Sequence, residues 1–191
     1  MNKIKGWYIP IVIVVIWIIG SSLKWWNAYI IPPPMRTLKS ALVLIKNGIL
    51  LKHIFVSLNR VLTGFALAFI LAFPLGIILG MNGKLIVYFN PILEFFRHVP
   101  PLATIPMLIL WFGIGEMSKV VIIIMASFFP IFLNTINGVL NCDIKLLEVG
   151  ESFGFTRREK FYKIILPAIL PYVFVGMRLG LGYSWRALIG A

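Results

Sequence analysis

The chain has 191 residues, 60% of them hydrophobic, a mean hydropathy of +0.98 and a net charge of +12 from 18 lysines and arginines against 6 acids. A soluble domain holds about 45–50% apolar residues, and here they fall in blocks long enough to cross a bilayer, which excludes a soluble globular fold. The basic residues stand between or beside those blocks, where interfacial anchoring and lipid phosphate account for them, so membrane lipid is an expected partner and nucleic acid is not.

A single cysteine, Cys142, permits no internal disulfide and no metal cluster. His53 and His98 are isolated, outside any HExxH spacing. No metal site, cofactor or catalytic residue is expected, because no nucleophile, base or ligand cluster can be assembled from the sequence.

The first apolar block, residues 7–23, follows Lys3 and Lys5 and is trailed by Lys24, Trp25 and Trp26. The basic start and the Gly20-Ser21-Ser22 end fit a leader peptide, while the paired tryptophans fit an interfacial belt and favour a retained span. Pro32, Pro33 and Pro34 then force an extended segment. Residues 37–52 mix Leu38, Leu42, Ile45 and Ile49 with Lys39, Lys46 and Lys52, which predicts an amphipathic helix lying on the bilayer surface.

The second span, residues 61–81, carries a small residue at every fourth position: Gly64, Ala68, Ala72, Gly76 and Gly80. On a helix these form one stripe, so a neighbouring helix can approach closely and gain contact that lipid cannot supply. Pro74 inside it predicts a kink. The third block, residues 85–96 and 102–112, is interrupted by Arg97, His98, Val99, Pro100 and Pro101. Adjacent prolines remove backbone donors where unsatisfied carbonyls are expensive, so the break reads as a candidate pathway-lining element, or else as a short surface helix followed by a separate span.

Residues 113–118 predict a tight turn and 119–140 the fourth span, with Asn134 and Asn137 expected to face the bundle interior, for helix-to-helix hydrogen bonding or for solute contact. The fifth span, residues 167–184, holds Gly176 and Gly180 with Arg178 between them. An arginine within a span costs at least about 2.5–3.5 kcal/mol unless it snorkels or faces water, so Arg178 is expected to face protein or an aqueous cleft. An apolar run begins at Ala187 and the chain stops at Ala191, so a sixth span is expected to be truncated.

Between the last two spans lies a polar loop, EVGESFGFTRREKFYKIILP over 148–167. Residues 144–153 predict a short helix ended by Gly154 in a left-handed cap. Thr156 and Glu159 then form a T-x-x-E capping box that opens a second helix. Leu146, Leu147, Phe153, Phe161 and Tyr162 supply apolar and aromatic contacts that a solvated linker does not need and a docking element does.

Glu148-Val149-Gly150, three residues, Gly154, nine residues, then Ile164, one residue, Leu166 and Pro167 resembles the EAA-x3-G-x9-I-x-L-P motif of permease subunits of binding-protein-dependent ABC importers. The departures are Val149 and Gly150, where the motif has alanines. The runs FRHVPP at 96–101, LWFGIGE at 110–116, FFPI at 128–131 with Asn134-Thr135, and GLGYSWR at 180–186 are similar to the nitrate, sulfonate and taurine branch of that family. The resemblance covers nearly all of residues 53–191.

The resemblance implies an all-α polytopic bundle of the type I importer kind, multi-pass in the bacterial inner membrane, with five spans visible. It implies an N-terminal span plus extracytoplasmic amphipathic segment at 1–60 and a permease core at 61–191 containing a coupling loop at 143–167. It implies three protein partners: a cytoplasmic ATP-binding cassette subunit seated on that loop, an extracytoplasmic solute-binding protein and a second permease copy. The sequence has no G-x-x-x-x-G-K-[ST] phosphate cradle, so hydrolysis falls to a partner and the chain is not expected to be an enzyme. Candidate pathway residues are Arg97, Pro100, Pro101, Asn134 and Arg178. The solute expected is an alkanesulfonate, taurine or nitrate, with a neutral pyrimidine or a secondary transporter as alternatives; no internal repeat supports the latter. A cytoplasmic loop places 24–60 outside, although that stretch carries Lys24, Arg36, Lys39, Lys46, Lys52 and Arg60, against the positive-inside tendency.

Overall fold

A computed structural model describes residues 6–190, the side chain of Arg97 excepted; Lys3, Lys5 and Ala191 lie outside the described residues. Among those residues the regular structure is helical: α1 (Tyr8–Ser22), α2 (Pro34–Lys46), α3 (Ile49–Met81), α4 (Gly83–His98), a 3-10 turn (Pro101–Thr104), α5 (Ile105–Phe112), α6 (Glu116–Leu140), α7 (Ile144–Ser152), α8 (Arg157–Lys160), a π turn (Phe161–Ile165) and α9 (Leu166–Gly190). Ile49–Met81, Glu116–Leu140 and Arg157–Gly190 are each long and apolar enough to cross a membrane, α4 and α5 together make a fourth, and α1 is apolar over 15 residues. The first nine positions of Arg157–Gly190 carry Arg157, Arg158, Glu159, Lys160 and Lys163, so its apolar part begins with α9.

The chain forms two compact units, Met1–Val56 and Ser57–Ala191. In the first, the outer edge of the Trp26 ring packs against Gly20, where an added Cβ would fall 2.1 Å from it, and Trp17 Nε1 donates to the Pro32 carbonyl at 3.1 Å. These contacts tie α1 to the proline segment. The helix expected over 37–52 is in fact two: α2 ends at Lys46, Gly48 takes a left-handed φ of +69°, and α3 starts at Ile49 rather than near Val61. A left-handed glycine ends a helix by redirecting the chain, and the amphipathic pattern alone does not register it.

The second unit is organised around α6. Along α3, Gly64 lies against Ile123, Gly76 against Thr135 and Gly80 against Val139, with Ala68 and Ala72 fully buried. Numbers rise together on both helices, so α3 and α6 run parallel. Arg60 confirms the register at one end, its guanidinium gripping both carboxylate oxygens of Glu116. Helix α9 runs antiparallel to α6: Tyr172 meets Gly138, Gly176 meets Asn134, and Gly180 meets Ile131. Near the middle, Ser127 and Ser184, both fully buried, share a hydrogen bond of 2.6 Å while Ser184 also donates to the Gly180 carbonyl.

Parallel α3 and α6 require the chain between them to return across the bilayer. Ile86 and Leu93 of α4 pack on the cluster of Ala72, Leu79, Ile131, Phe132 and Ile136, whereas Leu108 of α5 packs with Ile122, Ala126 and Ala187. The two helices thus follow α6 from its C-terminal half to its N-terminal half, as one span bent by 74° at Pro100-Pro101. A surface helix followed by a separate span would leave the whole crossing to Pro101–Phe112, whose four 3-10 and eight α-helical residues reach about 20 Å, short of the roughly 30 Å of hydrocarbon. Helix α3 continues through Pro74, and at 33 residues it spans about 50 Å, well beyond the roughly 30 Å of bilayer hydrocarbon.

Candidate functional site

The segment between α6 and α9 folds on itself. Asp143 caps α7 by accepting from the Lys145 backbone at 2.9 Å, a cap the sequence reading passed over although an acid directly before the helix is its usual signal. Helix α7 ends in a Schellman cap: the Phe155 amide donates to the Gly150 carbonyl at 2.9 Å and the Gly154 amide to Glu151 at 2.8 Å, with Gly154 at φ +70°. Thr156 and Glu159 complete the reciprocal capping box at the start of α8.

Three contacts close the two helices together. Gly150 is buried so tightly that an added Cβ would lie 2.6 Å from Ile164 Cδ1; Lys160 pairs with Glu151; and the Lys163 ammonium stands 4.4 Å from the centre of the Phe155 ring. The Lys160 partnership holds the Glu151 carboxyl below the usual carboxylate range. Glu159 is pulled down to about 2, chiefly by the Thr156 backbone amide, then by Lys163 and the Thr156 hydroxyl. The junction is therefore a folded corner rather than a loose hinge.

Of the motif residues, Val149, Gly150, Ile164 and Pro167 line one groove of about 510 Å³ together with Leu146, Phe153, Phe155, Lys163 and Ala168. Glu148 is exposed beside it, Gly154 makes the cap and Leu166 opens α9. Phe153 at 75% and Val149 at 51% exposure present apolar surface that the chain itself does not cover.

The candidate pathway residues are not gathered into one site. Asn134, half-buried, donates to the Pro130 carbonyl of its own helix at 2.8 Å and borders a cavity of about 410 Å³ with Asn90, Glu94 and Asn137. Asn137 is exposed, yet it lines that same cavity between α4 and α6 rather than the α9 contact. Three residues on a helix turn by about 300°, so when Asn134 meets Gly176 its i+3 neighbour points past the α9 contact. Pro100 is exposed, and Pro101 borders a separate cavity of about 230 Å³ with Leu102, Ala126, Tyr183, Arg186 and Ala187. Arg97 lies in α4, its side chain outside the described ones. Arg178 is exposed rather than packed against its own chain. Sequence reasoning missed Asn90, Tyr183 and Arg186 as cavity-lining residues; the signal for Arg186 was a second arginine eight positions after Arg178. Among the described residues no group of three or more His, Cys, Asp or Glu side chains is placed to hold a metal ion.

Residues 72–191 match the family described as binding-protein-dependent transport system inner membrane component. The chain is 38% identical over 187 residues to the putative aliphatic sulfonates transport permease protein SsuC of Bacillus subtilis, covering 98% of this chain and 68% of that one. It is 31% identical over 185 residues to the taurine transport system permease protein TauC of Escherichia coli, covering 94% and 67%. Over 135 residues it is 33% identical to the bicarbonate transport system permease protein CmpB of Synechococcus elongatus, covering 71% and 49%. With the broken span, the small-residue packing and the folded corner before α9, these similarities identify the chain as a member of the binding-protein-dependent inner membrane component family, a multi-pass ABC-importer permease of the sulfonate, taurine and nitrate branch.

Proposed function

We propose that the chain is the membrane subunit of an ATP-driven importer that passes a small oxyanion, an alkanesulfonate, taurine or nitrate, inward across the membrane. The observation that carries this is the corner of 143–167: its ends are capped, its two helices are pinned by the Gly150–Ile164 and Glu151–Lys160 contacts, and its apolar groove is left uncovered. A rigid lever with an open apolar seat suits a separate motor protein. Glu148, Val149, Gly150, Gly154, Ile164, Leu166 and Pro167 build that lever; ATP hydrolysis belongs to the cassette subunit docked on it. Names of the relatives support the solute class, and the family description supports a solute-binding protein on the opposite side.

The parallel register of α3 and α6 puts the α3–α4 turn on the same side as the corner, and the Arg60–Glu116 end on the other. With the corner cytoplasmic, Lys84, Lys145, Arg157, Arg158, Lys160 and Lys163 are inside, which offsets the six cations of 24–60 in the positive-inside balance. A homodimer with a second copy completes the working unit. Purified chain, cassette subunit and binding protein in proteoliposomes should accumulate labelled taurine or methanesulfonate only with ATP and only when all three are present. Uptake by the chain alone, or driven by an ion gradient without ATP, would refute the reading.

A further inference from the structure

The buried residues of α9, Ile169, Val173, Gly176, Gly180, Ser184 and Ala187, face the rest of the chain, and the opposite side carries two arginines. Arg178 and Arg186 are both exposed, as is Gly182 between them. Eight residues of helix bring Arg186 to within about 80° of Arg178 and about 12 Å further along. Residue 178 stands twelve positions past Leu166, about 18 Å into a hydrocarbon layer of roughly 30 Å, so it sits near mid-depth, beyond the reach of an arginine side chain to either headgroup layer. No acidic residue occurs on α9. A guanidinium at mid-depth with no carboxylate on its own helix needs water or an anion in front of it.

Two further features favour an anion. Gly182 has nothing within 4 Å of where a Cβ would stand, so a solute can approach the backbone between the two charges. The Arg186 guanidinium is held 5.1 Å from the Tyr183 ring centre, and both residues border the small cavity beside the Pro101 break. Resting on the import reading above, we infer that Arg178, Gly182 and Arg186 form a two-station track for the permeating oxyanion. Arg186 receives the sulfonate-type head on the Glu116 side, and Arg178 takes it at mid-depth, each through the paired N–H donors of a guanidinium. Two moderate sites in series favour entry without trapping the ion.

The test uses the complete complex in proteoliposomes, with taurine, methanesulfonate and nitrate as anion probes and cytosine as a neutral one. Arg178→Gln and Arg186→Gln should each lower anion uptake at least tenfold, and the lysine variants should retain at least three times the uptake of the glutamine ones. In case a variant fails to assemble, Gly182→Cys in a Cys142→Ser background keeps both arginines. Its thiol should react at least fivefold faster with an anionic thiosulfonate than with a cationic one of similar size, and Arg178→Gln should bring that ratio near one. Wild-type import of the anions with unchanged glutamine variants overturns the track while leaving the import reading intact. An unreactive Gly182→Cys thiol, or a ratio near one with both arginines present, means that a second copy or lipid covers this face and also overturns it. A wild-type complex that imports cytosine and none of the anions overturns the solute class and the track together.

Discussion

Replacing Gly154 by alanine isolates a backbone effect at the corner on which coupling depends. Its φ is +70°, and nothing lies within 4 Å of an added Cβ, so the substitution meets no neighbour and its whole effect comes from holding an L-residue in the left-handed region. That conformation disfavours an L-residue by about 1–2 kcal/mol, and a corner that must be capped to seat the motor subunit then binds it roughly 5–30-fold more weakly. Asparagine tolerates the conformation better and should fall between glycine and alanine, while β-branched valine should be worse than alanine. The assay is titration of the cassette subunit onto permease proteoliposomes, with ATP-driven uptake measured on the same samples. Alanine indistinguishable from wild type, or asparagine as damaging as valine, would refute the reasoning.

Three other outcomes follow from the packing and the charges. Gly76→Val drives new atoms against Thr135 Cβ at 2.8 Å and the Phe132 carbonyl at 3.0 Å and should lower stability in detergent by about 1–3 kcal/mol, whereas Gly83→Ala, in open space, should stay within about 0.5 kcal/mol. A double-mutant cycle on Ser127→Ala and Ser184→Ala should give a coupling of about 0.6 kcal/mol, because each hydroxyl keeps a carbonyl of its own helix as acceptor when its partner is removed. Glu159 is lowered from 4.5 to about 2, so its contribution to the corner is complete above the ordinary carboxylate range and is lost as pH falls through the folded value. Amide exchange at 156–160, corrected for its intrinsic pH dependence, should rise between pH 4.5 and 2 in wild type and should be high and flat in Glu159→Ala, which has no carboxylate to accept the Thr156 amide.

Local signals explain what was legible before the structure. The four-residue spacing of Gly64 through Gly80 marks a stripe whatever the partner, and T-x-x-E at Thr156 with Gly154 before it defines two helix ends through bonds spanning only a few residues. Gly48 is overlooked rather than hidden: Asn47-Gly48 after Lys46 is itself a helix-end signal, but the amphipathic pattern runs on both sides of it and reads as one helix. The fate of Asn137 and the pairing of Arg186 with the Pro101 recess depend on which arc of α6 or α9 a neighbour covers. Helical periodicity locates a face; it does not say what lies against it. The parallel run of α3 and α6, which decides that 82–115 crosses once, likewise rests on contacts about 60 residues apart and has no local signature.

The most direct measurement of the central claim is labelling of Phe153→Cys in a Cys142→Ser background with a membrane-impermeant maleimide, from each side of sealed vesicles, with and without the cassette subunit. Reaction from the cytoplasmic face alone, suppressed when the subunit is bound, is the predicted result. Reaction from the outer face, or labelling that the bound subunit leaves unchanged, would contradict a corner that carries the motor's movement into the spans.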